Sequence, residues 1–443
     1  MIIDEQYLSG GVDADVLYKL ISRHMDSRAR YSRLLDYYLG RHDIEGRKKL
    51  SSGTVNNKIV CNHAKYIVDM ARSYLVGNPV TYACSDGYDI EAVKNCYLEQ
   101  DIAHLDSGLE RDMGIYGRAY ELLYIDEKSN PRSVRVPPEN SFVVYGATVE
   151  EKPLLGVHYY TKYDIDGNAA GTYCIACDST ACYIYENDVN SFMNMELKEV
   201  NLHYFNEVPL IEYRNNEDAQ GDFEQLIPLI NAYNLLCSDR VNDKEQFVES
   251  FLFLSGIELD SEQARKLREE RILMGYEGSE ARYLSKVMSE TDVEVLRDSL
   301  KQDIHRFSMV PDLSDESFGN NLSGVAIKYK LMGFEQHVRN KERLFTKGLK
   351  SRFHMYNNYL SLKGSMQYVP IHRVDVVFNR NLPVNELEIS EMVNNLRGLA
   401  TNETLLAQLS FVSDPKEESE LSLKERRKIK EVLQDADQKE KRA

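Results

Sequence analysis

FEQLIPLINAYNLLCSDRVNDKEQFVESFLF, residues 223–253, places Leu226, Ile227, Ile230, Tyr233, Leu236, Val241, Phe247, Val248 and Phe251 along one apolar stripe. That recurrence predicts one long amphipathic helix. Pro228 fits inside its first turn, where the missing N–H has no intrahelical partner to lose. Residues 254–290 follow as a short module dense in both charge signs, and a second helix is predicted over Asp292–Met309, closed by Pro311. The segment PDLSDESFGNNLSG, 311–324, is an acidic loop rich in Gly, Asn and Ser. A third long helix is predicted over 325–360, with Phe334, Val338, Phe345, Leu349, Phe353 and Tyr356 on one side. Helix, charged module, helix, loop and helix in this order form the frame on which the rest of the chain hangs.

Working outward, a charged helical pattern covers Val16–Leu39 and a polar stretch covers Gly40–Asn57. From Asn62 the positions Ala64, Ile67, Val68, Ala71, Leu75 and Val76 predict a helix capped by Asn62 and stopped at Gly77-Asn78-Pro79. Between Ala119 and Lys198, β-branched and aromatic runs alternate with turn signals, and Asp166-Gly167 marks the clearest hairpin. A strand is predicted at 374–379, short helices at 385–398 and 402–409, and a tail from Asp414 with nine acidic and nine basic residues. The fold class is therefore α+β.

The 443 residues hold 54 Lys plus Arg against 71 Asp plus Glu, a formal charge of −17. A free-standing nucleic-acid binder gains most of its affinity by neutralising phosphates, so that balance excludes a conventional basic DNA-binding protein. The charge is uneven: residues 1–222 carry −13, 223–253 carry −3, 254–290 carry −2, 291–324 carry −4, and 325–361 carry +6. The third helix is thus a basic element in an acidic protein. No apolar run reaches the ~18 residues of a membrane span, which predicts a soluble, cytoplasmic chain with no membrane partner. Seven dispersed cysteines predict reduced thiols.

Motifs for chemistry are few. There is no phosphate-cradling G-x-x-x-x-G-K-[ST], no G-x-G-x-x-G, no G-x-S-x-G and no H-E-x-x-H. Cys174, Cys177 and Cys182 have a spacing that can supply three zinc ligands, with His158 or His203 as a fourth; against this stands plain burial on alternating strands. A cytoplasmic zinc enzyme built on them is the alternative to the reading below. Asp164-Ile-Asp-Gly-Asn168 resembles the start of a calcium loop but has Ala169 and Ile175 where that loop needs Gly and Glu, so a hairpin turn is expected. Lys328, Lys330, Arg339, Lys341, Arg343, Lys347, Lys350 and Arg352 make the third helix a candidate for phosphate contacts or an inter-subunit face. A monomeric DNA-binding module using that helix is a third option.

Six blocks in order carry a resemblance to a known family. They are Asn57–Asn62 with Lys65–Asp69 and Tyr74–Tyr82; Tyr116–Tyr120; Pro138–Tyr145; Asn206–Pro209 with Asn215-Asn216; Leu229–Asn234 leading to Ser238–Asp243; and Leu322–Lys328. Over residues 16–412 the chain resembles portal proteins of tailed double-stranded DNA bacteriophages, of the siphophage type. The resemblance implies a non-enzymatic ring, usually of twelve subunits, at one vertex of the virion capsid, assembled in the host cytoplasm, with no cofactor. It implies terminase large subunit, a head-completion or adaptor protein, major capsid and scaffolding proteins, and duplex DNA as partners.

It also implies a division of the chain. Residues 1–222 and 362–384 become the wing, 223–253 and 291–310 the two stem helices, and 254–290 the clip, with Arg265, Lys266, Arg268 and Arg271 as partner-binding residues. Residues 311–324 become the tunnel loop, with Asp312, Asp315, Glu316, Phe318, Asn320 and Asn321 facing DNA. Residues 325–361 become a kinked helix returning into the wing, and 385–443 the crown and tail.

Overall fold

A computed structural model describes residues 1–8, 11–48, 55–84, 87–248, 251–255, 280–284, 290–314, 329–380, 386–409, 412, 415, 418–419 and 421–424. It is a mixed α and β protein that divides into two compact units, one of residues 1–312 with 333–380 and one of 313–332 with 381–443.

In the first unit, β1 (Ile2–Ile3) precedes α1 (Ala14–Met25) and α2 (Arg28–Tyr38), then α3 (His63–Val76), β2 (Thr81–Cys84), α4 (Glu91–Glu99) and α5 (Ile102–Tyr116). Eight strands follow: β3 (Arg118–Ile125), β4 (Pro131–Val136), β5 (Ser141–Gly146), β6 (Pro153–Tyr163), β7 (Ala169–Cys177), β8 (Ala181–Asn187), β9 (Glu196–Leu202) and β10 (Leu210–Arg214). The unit closes with α6 (Ile227–Val248), β11 (Phe251–Ser255), β12 (Glu280–Leu284), α7 (Glu290–Ser308), α8 (Met332–Leu362) and β13 (Val374–Val377). The second unit contains α9 (Glu386–Asn395) and α10 (Asn402–Leu406), the latter capped by Thr401, whose hydroxyl accepts from Thr404 N–H at 3.3 Å.

A six-stranded sheet runs in the order β1-β5-β6-β7-β8-β9, antiparallel except for the parallel β1–β5 pair. Helix α1 lays Leu17, Leu20 and Ile21 on its inner face against Val144, Leu155, Val157, Tyr159, Cys174 and Ala176. The strands alternate in period two and the helix in period 3.6, so each offers one apolar face to the other. A second sheet orders β10-β3-β4, and β13 pairs with β2.

Several sequence expectations are corrected. The pattern 16–39 is two helices, broken at Asp26-Ser27. The helix predicted to Phe253 stops at Val248, and the FLFLS run becomes β11, antiparallel to β12. Five consecutive residues rich in Phe and Leu fit a strand better than one stripe of a helix. Residues 91–116, left without an element in the sequence reading, form α4 and α5. The third helix is a continuous α-helix over Met332–Leu362. The Asp166-Gly167 hairpin is present, and Asp164 Oδ1 accepts from the N–H of Asp166 at 2.9 Å and of Asn168 at 2.7 Å. That carboxylate is engaged in the turn, as the hairpin expectation required.

Candidate functional site

The two long helices are rooted by a single extended segment. Alternate backbone N–H groups of that segment donate to side chains one helical turn apart on α6. Asn57 donates to Asn242 Oδ1 at 2.7 Å, Ile59 to Ser238 Oγ at 2.9 Å, and Cys61 to Asn234 Oδ1 at 2.8 Å. Two residues of extended chain advance about 6.6 Å and four residues of helix about 6 Å, so the repeats match and one strand can be read off one helix face. Asn62 then caps α3, accepting from Lys65 N–H at 3.0 Å. Asn234 Nδ2 donates to His42 Nδ1 at 2.8 Å, and His42 Nε2 donates to the Tyr37 carbonyl at 2.9 Å. This pattern fixes His42 as the neutral Nε2–H tautomer, and burial pushes its pKa down.

Helix α7 packs beside α6. Its His305 ring meets His63 and Tyr66 edge-on at 5.7 and 5.5 Å, and Nδ1 donates to the Val310 carbonyl at 3.0 Å. Burial, with the nearby His305, pushes His63 down to about 4, so the pair carries no charge from His63 near neutrality. The exit from α7 is pinned: Tyr66 hydroxyl donates to the Pro311 carbonyl at 2.9 Å, and Lys301 Nζ stands 2.6 Å from Asp312 Oδ2. Asp312 is therefore an anchoring residue with its charge matched, whereas the sequence counted it among the uncompensated acids of the loop. Asp315, Glu316, Phe318, Asn320, Asn321 and Lys328 lie outside the described residues, as do Arg265, Lys266, Arg268 and Arg271.

Helix α8 corrects the largest part of the charge argument. Lys341, expected to meet phosphate or another subunit, is buried, with Nζ 2.6 Å from Glu110 Oε1 and 2.8 Å from Asp222 Oδ2. Three turns on, Arg352 is also buried; Nη2 donates to Asp106 Oδ1 at 2.6 Å and Nε to Glu121 Oε1 at 2.7 Å. The Tyr213 hydroxyl adds a bond to Glu121 Oε2 at 2.5 Å. Each cluster sets two carboxylates against one cation, and one acid in each is driven toward its neutral form. Burial raises Asp106 to about 6 against the pull of Arg352, and burial raises Glu110 against Lys341. Burial alone would raise Asp222 as well, but Lys341 and His337 overrule it and hold it well below the usual carboxylate range.

Sequence reasoning missed these acids. Asp106 and Glu110 are one turn apart on the stripe that carries Leu109 and Met113, and charges on an apolar stripe were the available signal.

What remains of the basic face is smaller. Arg339, Arg343 and Lys347 stay exposed at four-residue spacing, with Arg339 Nε donating to Glu335 Oε1 at 2.9 Å. Arg339, Arg343, Phe378 and Arg380 line a groove of about 630 Å³, in which Arg380 is bonded by Glu335 and Glu342. Lys330 is half of an interaction in the second unit.

The zinc alternative does not survive the strand register. Cys177 and Cys182 are register partners across the β7–β8 hairpin, with Cα atoms 4.0 Å apart, and are joined as a disulfide, against the expectation of reduced thiols. Cys174, three residues from Cys177, projects from the opposite face into the α1 core. The three sulfurs therefore cannot converge on one ion, and no group of three His, Cys, Asp or Glu among the described residues is placed to hold a metal. No described helix is long and apolar enough to cross a membrane.

Residues 17–432 match a family model described as "Phage portal protein, SPP1 Gp6-like". A "Portal protein" of Bacillus phage SPP1 is 24% identical, over 92% of this chain and 85% of that relative. A "Portal protein" of Clostridium phage phiCD119 is 22% identical, over 94% of this chain and 97% of that relative.

Proposed function

The chain belongs to the SPP1 Gp6-like family of phage portal proteins, and on that premise we propose how its parts divide the work. A member of this family is a structural, non-enzymatic component of the virion capsid that forms an oligomeric ring through which DNA passes.

In the reading offered here the ring has twelve copies and assembles in the host cytoplasm with major capsid and scaffolding proteins. The terminase large subunit docks on it during packaging, and a head-completion or adaptor protein docks afterwards. Helices α6 and α7 are the stem, and the module between them, which holds β11 and β12, is the clip. The single observation that carries this division is the joining of two side-by-side helices by an antiparallel strand pair. In this division the clip contacts use Arg265, Lys266, Arg268 and Arg271. Residues 1–222 and 362–384 make the wing, into which α8 is keyed by Lys341 and Arg352; residues 385–443 make the crown and tail.

The loop 311–324 is assigned to the tunnel, with Asp315, Glu316, Phe318, Asn320 and Asn321 toward the duplex. A translocation channel has to hold a polyanion without gripping it, because every neutralised phosphate adds affinity and a barrier to sliding. The two stem segments together carry seven net negative charges per copy, which repel duplex weakly over about 8 Å at physiological salt. Arg339 and Arg343 are left for phosphate or inter-subunit contacts; Lys341 is withdrawn from that role by its burial.

Negative-stain imaging and sedimentation test the ring: a particle that stays monomeric under all conditions overturns the reading. Deletion of 313–321 tests the loop. Rings are expected to form and packaging to stop, and normal packaging would refute the assignment.

A further inference from the structure

Helices α6 and α7 each keep one apolar stripe that nothing in their own subunit covers. On α7, Leu296 is 51% and Phe307 61% exposed, with half-buried Leu300 between them. Steps of four and seven residues hold these three within about 40° of one another on the helix surface. On α6, Leu235 is 45% exposed, and Pro228 and Ala232 are exposed on the same side. The opposite side of α6 is already spent, since Ile230, Asn234 and Ser238 are buried there.

We propose that the Leu296–Phe307 stripe of α7 seats on the Pro228–Ala232–Leu235 stripe of α6 in a second copy of this chain. The inference rests on the ring assigned above. A closed cyclic ring joins two unlike faces of the same subunit, so each copy needs one donor and one receiver surface. These two stripes are unlike in the required way. One presents two large protruding side chains, and the other has a small residue, Ala232, between Pro228 and Leu235, which leaves a notch for a ridge to enter. Large apolar side chains aligned over about three turns of an otherwise charged helix are costly to leave in water, which favours a protein partner. Duplex DNA offers charged phosphates and gains nothing from them. Pairing of the α7 stripe with itself would produce a two-fold dimer that cannot grow into a ring.

Two variants separate the faces. Leu296→Asp with Phe307→Asp breaks the α7 stripe, and Ala232→Asp with Leu235→Asp breaks the α6 stripe. All four positions are solvent-exposed in the subunit, so far-UV circular dichroism and the melting temperature are expected to match the parent. In sedimentation each variant alone should remain monomeric at concentrations about tenfold above the parent assembly midpoint. Mixed in equal amounts, the two variants should form a particle with one copy of each and nothing larger, because one intact α6 face and one intact α7 face remain. Rings from either variant overturn the proposal, and so does a mixture that stays monomeric. A parent chain that never assembles removes the ring on which the proposal rests, which is a different failure, seen in a different sample.

Discussion

Arg352 on α8 and Asp106 on α5 stand 2.6 Å apart, Nη2 to Oδ1, 246 residues apart in the chain and with neither side chain reaching solvent. The same guanidinium also serves Glu121, so one positive charge faces two acids. Burial raises Asp106 to about 6, Arg352 opposes the rise, and the charge on Glu121 adds to it.

This geometry sets a pH dependence. The folded pKa of Asp106 lies above the unfolded value near 4, so the folded chain keeps a proton that the unfolded chain releases. The stability from this group is fully present below about pH 4, is lost as pH rises toward about 6, and is level above that; two units correspond to about 3 kcal/mol at most. Unfolding of the parent and of Asp106→Asn, compared at intervals from pH 4 to 7, should show the parent losing ground through that window. A constant difference would mean that Asp106 is ionised throughout.

Lys341 holds Asp222 and Glu110 in the neighbouring cluster. Lys341→Met leaves two acids buried without their cation and is expected to cost about 3–5 kcal/mol. Adding Glu110→Gln and Asp222→Asn to that variant should recover a large part of the loss, because the cost lies in the uncompensated charge. Urea midpoints report both effects, and a lossless single variant would remove the cluster from the account of stability.

Gly348 lies where α8 crosses the ring of Tyr213, and a Cβ there would overlap the ring carbons. Gly348→Ala should destabilise by about 1–3 kcal/mol. Gly333, on the same helix, has open space around it, and Gly333→Ala should be neutral or stabilising by up to about 1 kcal/mol. Melting temperatures of the two variants are expected to move in opposite directions, and equal losses would contradict the close approach.

The segment 57–61 depends on Asn234, Ser238 and Asn242. Asn234→Ala strips the acceptor from the Cys61 N–H and the donor from His42, at about 1–3 kcal/mol for each buried group left unpaired. Hydrogen exchange should speed up at the amides of Asn57, Ile59 and Cys61 first. Unchanged protection there would show that the ladder holds without its central rung.

The residues alone determined the α+β class, the helix Asn62–Val76 with its cap, the hairpin at Asp166-Gly167 and most of the long-helix frame. These rest on local rules: a period of 3.6 or 2, a capping side chain and a turn former act within a few residues of themselves. Gly117, in the block Tyr116–Tyr120, shows how a local rule hides a tertiary one. Its φ of +80° marks a helix end, but a Cβ there would also collide with the Ala219 carbonyl, 102 residues on.

The pairing of charges was decided by the tertiary structure alone. In the sequence Lys341 and Arg352 are two of eight cations on a basic helix, and only the approach of α5, β3 and Asp222 takes them out of solvent. The same holds for Cys177, which register joins to Cys182 and turns away from Cys174, and for two sequence blocks about 175 residues apart that become one strand laid on one helix. Whether a charge meets water, phosphate or a buried partner depends on what packs against it, and a one-dimensional pattern states only which sides of an element are available.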